Sequence, residues 1–139
     1  MGFYASYKTV FDDVRSKLGA LDRIKRVVTE ERFSGTDLPM AVVNMEETLI
    51  AQAVIGTMLA CEINFTVIVF VMETEPTDWF TDIITVMGDV VDKILSDRSL
   101  SGSVKDVTPT YFTPGEACVK DRLYYGGAVR FQALMHFTP

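Results

Sequence analysis

The plainest pattern in the chain is the alternation of apolar and polar positions between Met58 and Glu73. Leu59, Cys61, Ile63, Phe65, Val67, Val69 and Val71 recur at every second position, the period of a strand with one buried face. Glu62, Asn64 and Thr66 make the first half of the opposite face polar, whereas Ile68, Phe70 and Met72 make its second half apolar. One end of this strand is therefore expected to be covered on both sides, the other on one. A similar alternation fills Arg122 to Phe137, where Val129, Phe131, Ala133, Met135 and Phe137 oppose Arg130, Gln132 and His136. A bend is expected at Gly126-Gly127.

Two segments carry helical spacing instead. Phe3, Tyr7, Val10, Phe11, Val14 and Leu18 predict an amphipathic helix over 3–18, with Gly19 as its stop. Glu75-Pro76-Thr77-Asp78 breaks the long strand, and Thr77 or Asp78 can cap a second helix running to about Asp97. Its expected core stripe is Phe80, Ile83, Ile84, Met87, Val90, Val91, Ile94 and Leu95. The remaining strands are weaker. Residues 23–33 read as an edge strand guarded by Arg23, Lys25 and Arg26, with a turn at Ser34–Asp37. Leu38 to Glu46, opened by Pro39, points Met40 and Val42 one way and Ala41, Val43 and Met45 the other. Val104 to Thr113 contains Pro109 and is expected to be an edge or bulged strand, followed by a turn at Pro114-Gly115.

The order is α-β-β-β-α-β-β. Because strands and helices do not alternate, a mostly antiparallel sheet is expected rather than a doubly wound parallel one. The expectation is a single α+β domain over residues 1–139, with both helices packed on one face of the sheet.

Thr48 to Thr57 departs from this pattern. It lies between two strands, where a polar turn is expected, yet it holds Leu49, Ile50, Val54 and Ile55. Either the flanking strands run on through it, or it forms a short buried helix, or it is a hairpin arm at about 47–58 that projects from the sheet and docks on another subunit. In the last case Met58 joins these four as an interface residue, along with the second apolar face at Ile68, Phe70 and Met72.

Composition narrows the function classes. With 139 residues, 48% of them hydrophobic and 23% charged, the chain can bury a core without a metal or disulfide. The net charge of −6 argues against nucleic-acid binding driven by Lys and Arg. Mean hydropathy is positive, a surplus that implies apolar surface covered by partners. Met1-Gly2-Phe3-Tyr4 lacks a basic region followed by an apolar run, so no signal peptide is expected. No apolar stretch reaches membrane-spanning length. Cys61 and Cys118 form neither a metal nor a redox motif and are expected to be reduced thiols.

The search for chemistry is largely negative. His136 is the only histidine, and Cys118 is its only nominal nucleophilic partner, with no third orienting group. Gly126-Gly127 lacks the strand–turn–helix setting and lysine of a phosphate loop. The pairs Asp12-Asp13, Glu30-Glu31 and Glu46-Glu47 are sequence neighbours whose side chains diverge, so none makes a carboxylate dyad. No catalytic residue, metal or cofactor is expected.

As a pattern over nearly the whole length, the chain resembles the tail terminator (tail completion) proteins of long-tailed phages and tailed archaeal viruses. The resemblance rests on the helix Phe3–Leu18, the Pro-opened strand Leu38-Pro39-Met40-Ala41-Val42-Val43, and the hairpin into the β-branched strand Ile63–Val71. It continues through a helix of about five turns, a Tyr-bearing strand and a final alternating strand. It implies a non-catalytic virion protein, assembled in the host cytoplasm and located at the tail or neck. Such a protein forms a hexameric homo-oligomeric ring on the tail tube protein, stops tube polymerisation and meets the head-completion protein, while DNA crosses the lumen without specific binding. The alternatives are another neck component, a small ligand-binding or regulatory α+β domain, and an enzyme.

Overall fold

In a computed structural model, the described residues are 2–28, 38–56, 58–72, 79–119 and 122–139. Helix α1 spans Phe3–Gly19, strands β1, β2 and β3 span Arg26–Val28, Met40–Ile55 and Met58–Met72, helix α2 spans Trp79–Leu95, and β4 and β5 span Asp106–Val119 and Arg122–Phe137. The five strands form one sheet in the order β1-β2-β3-β5-β4. All neighbours are antiparallel except β1, which pairs in parallel with Met40–Val42 at the start of β2. The architecture is therefore the expected single α+β domain with a mostly antiparallel sheet.

Alternation decides which face each residue takes. Cys61, Ile63, Phe65, Val67 and Val69 of β3, with Val129, Phe131, Ala133 and Met135 of β5, are buried beneath the helices. Val10, Val14 and Leu18 of α1 and Ile83, Val86, Met87, Val90 and Ile94 of α2 complete this core. Phe65 and Phe131 stack across the β3–β5 seam at 5.2 Å. At roughly 1.5–3 kcal/mol for each large apolar side chain fully buried, this face carries most of the hydrophobic stabilisation. On the opposite face Met40, Val42, Phe70 and Tyr124 form a smaller buried cluster, with Val28, Leu38 and Ile68 packed against it. One end of β3 is thus apolar on both sides, as its sequence implies.

Several boundaries differ from the sequence reading. Strand β4 does not turn at Pro114-Gly115. It continues, pairing Pro114 with Gly127 and Gly115 with Gly126, because proline is tolerated where a strand has only one paired edge. Gly126-Gly127 does mark an irregularity, since the β3–β5 register shifts between Phe70 and Met72. The reason is close approach, because a Cβ on Gly126 would collide with the Val69 carbonyl oxygen. The core stripe of α2 is narrower than expected, leaving Phe80 and Ile84 47% and 46% exposed while Val86 is buried. Helical spacing identifies a face but not its width. The strand expected over 23–33 is described only as Arg26–Val28, and residues 29–33, the turn Ser34–Asp37 and the cap at Thr77-Asp78 lie outside the described residues.

Candidate functional site

Residues 48–56 continue the sheet. Strand β2 runs to Ile55, Gly56 turns the chain with φ +59°, and β3 begins at Met58. Thr48 pairs with Ile63, Leu49 with Glu62 and Ile50 with Cys61, with register shifts after Met45, Ile50 and Ala53. Strand β5 follows β3 down to Leu59, opposite Phe137. The segment is therefore the distal end of a hairpin whose β3 limb stays within the sheet. Of the two structural alternatives, the continued strands are what forms, and the short helix is not.

This hairpin end is apolar and open. Leu49 is 64% exposed and Ile50 53% exposed. Thr48 lies on the helix side, within reach of Tyr7, whose pKa burial raises and the hydrogen bond with Thr48 only partly lowers again. Met58 is half-buried. The side chains of Val54, Ile55 and Met72 lie outside the described residues. Phe70 and Ile68 are placed differently from Leu49 and Ile50. Phe70 is buried, its ring meeting Tyr124 edge-on at 6.2 Å, and Ile68 packs on the same cluster. These two therefore belong first to the chain's own packing. An apolar concavity of about 270 Å³ beside them is lined by Ile68, Phe70, Tyr124, Pro114 and Gly126.

Sequence reasoning missed a second exposed apolar pair. Tyr111 is 58% exposed and Phe112 40% exposed on β4, the opposite edge strand of the sheet. Two adjacent aromatics close to Pro109 were the available signal. Between the two edges, the middle of the face away from the helices carries a polar, interlinked patch around Arg130 and Glu46. Arg130 Nε lies 3.3 Å from Glu46 Oε1, and its guanidinium donates to the Tyr111 hydroxyl at 3.4 Å and sits 5.8 Å from that ring's centre. The Thr66 hydroxyl donates to Glu46, and the Gln132 amide donates to Glu62.

The groups weighed for chemistry are spread apart. His136 borders a polar recess with Ser6, Thr9, Ser101 and Ser103, while the Cys118 side chain lies outside the described residues. Cys61 is a buried free thiol whose pKa is pushed up by desolvation, which disfavours the thiolate. Arg23 of the basic cluster pairs with Asp89 of α2 at 2.7 Å. Among the described residues, no three His, Cys, Asp or Glu side chains gather in a way that could hold a metal ion, and no helix is long and apolar enough to cross a membrane. Comparison with models of known families and with curated proteins returns no match.

Proposed function

We infer that the chain is a structural subunit that closes into a ring on a tubular assembly, in the manner of a tail terminator. In this reading it would stop tube growth, join the tail to the neck proteins and leave a lumen for DNA. The observation that carries the reading is the exposure of Leu49 and Ile50 towards the end of the β2–β3 hairpin. Burial is worth about 1.5–3 kcal/mol for each such side chain, so a partner surface is the favoured destination. The element order agrees with the pattern on which the resemblance rests. The net charge of −6 suits a lumen that repels the phosphate backbone.

Light scattering over a concentration series, with negative-stain images of the purified protein alone and with tail tubes, tests the reading. Ring particles are expected, and a strict monomer in both conditions overturns it. The double change Leu49→Asp plus Ile50→Asp is expected to leave the subunit folded and to abolish ring formation. If it unfolds the monomer, the hairpin end belongs to the subunit's own core. The apolar concavity beside Phe70 favours a second reading, a small ligand-binding domain. That reading requires a compact monomer or dimer that gains thermal stability with an apolar ligand.

A further inference from the structure

Among the described residues, the distal part of β2 and the whole of β4 have no strand on their outward sides. Strand β1 covers β2 only at Met40–Val42. From Val43 to Ile55 it pairs with β3 on one side, and no strand among the described residues lies on the other. Strand β4 is the other end of the sheet and is bonded only to β5 along Asp106–Val119. Such edges present unmatched N–H and C=O groups and are normally blunted by charge. Here they are not. Thr48 to Ile55 contains neither charge nor proline, and Val107 to Gly115 contains no charge. An uncharged, β-prone edge left open is an association site.

We propose that the distal edge of β2 in one copy of this chain pairs with the β4 edge of the next, so that the sheets of successive copies join into one continuous sheet. Direction, length and side-chain matching together select this occupant. Strand β2 runs antiparallel to β3, β3 to β5, and β5 to β4, so β4 runs opposite to β2. A neighbour whose sheet continues the first sheet therefore meets it in the antiparallel sense. The open stretch Val43–Ile55 matches the length of Asp106–Val119.

Locally, between the irregularities of the two strands, a register exists that satisfies both faces. Leu49 lies on the Glu62 side of the sheet, away from the helices, and Tyr111 lies on the Arg130 side, the same face. Placing Leu49 opposite Tyr111 puts Thr48 opposite Phe112, with Ile50 diagonal to that ring on the helix face. Apolar pairs of this kind stabilise adjacent strands. The irregularity between Met45 and Thr48 ends this register before Glu46. Pro109 and Pro114 withhold two donors from the edge, which limits the ladder without closing it. The contact is heterologous, the kind that closes into a ring when the rotation permits. It rests on the ring reading, for which it names the lateral interface.

The experiment uses the full chain with Cys118→Ser. Leu49→Cys and Tyr111→Cys are introduced singly and together, and the protein is oxidised at the concentration where scattering shows multimers. The pair is expected to give a ladder of covalent multimers, and each single variant none. Efficient dimers from Leu49→Cys alone would show β2 pairing with itself and overturn the proposal. Hydrogen exchange supplies a register-free readout, in which amides in 43–50 and 106–115 are expected to gain at least tenfold protection on assembly. A multimer without protection at either edge overturns the edge contact alone. A monomer at every concentration overturns the edge contact and a self-closing ring together.

Discussion

The Asp97 carboxylate accepts hydrogen bonds from the Ser99 hydroxyl at 2.7 Å, the Ser99 N–H at 3.2 Å and the Ser101 N–H at 2.7 Å, and from Lys17 at 3.3 Å. It thereby ties the end of α1 to the loop leaving α2, a loop in which Leu100, Ser101 and Gly102 all adopt positive φ. These donors, led by the Ser99 hydroxyl, lower its pKa from 3.8 to about 2. A depressed carboxylate stabilises the fold at pH values above its unfolded pKa. Between about 4 and 2 the unfolded chain takes up the proton first, so this contribution falls as pH falls. Asp97→Asn is expected to lower the melting temperature at pH 7 and to flatten the loss of stability between pH 4 and 2. Thermal melts of both proteins across that range check this, and parallel pH curves would show that the loop is held by other contacts.

At the scale of elements, α2 shows how burial, not hydrophobicity, decides what a substitution costs. Met87 is 2% exposed, whereas Ile84, one turn earlier on the flank, is nearly half exposed. Met87→Ala is expected to cost about 2–5 kcal/mol and Ile84→Ala under about 1 kcal/mol. Urea denaturation measures both, and equal costs would mean that the flank is covered within the subunit. The same contrast explains what the sequence made legible. Strands β3 and β5 announce themselves because a sustained period of two fits a half-buried strand and no helix. The two faces of β2 followed from Met40 and Val42 against Ala41 and Val43, and both lie where expected. Parallel pairing of β1 with β2 was not legible, because register between distant segments leaves no local mark. Thr48 to Ile55 was ambiguous for the same reason that it is exposed. Its apolar residues read equally as core or as interface until neighbours are known. The Leu49–Ile50 site was singled out from sequence, but Tyr111 and Phe112 were not, since an edge is defined by the strand that is missing beside it.

Apart from β1, the sheet is two hairpins, β2–β3 and β4–β5, each closed by a short connection and joined along the β3–β5 seam. That seam pairs Leu59–Met72 with Tyr125–Phe137, across a long stretch of chain that includes α2. The hairpins need little chain entropy to form, whereas the seam must close a large loop before its contacts compensate. Folding time should therefore be set by two preformed hairpins finding each other, with α2 laid across the seam as they meet. Phe65 and Phe131, stacked face to face at the centre of that seam, lie where such an encounter would be stabilised earliest. Phe65→Leu is expected to show most of its lost stability as slower refolding in a chevron measurement. A change confined to the unfolding limb would place seam closure after the barrier. Until the seam closes, each hairpin carries one further bare edge, so the interval before that step is when the chain is most exposed to pairing with the wrong strand.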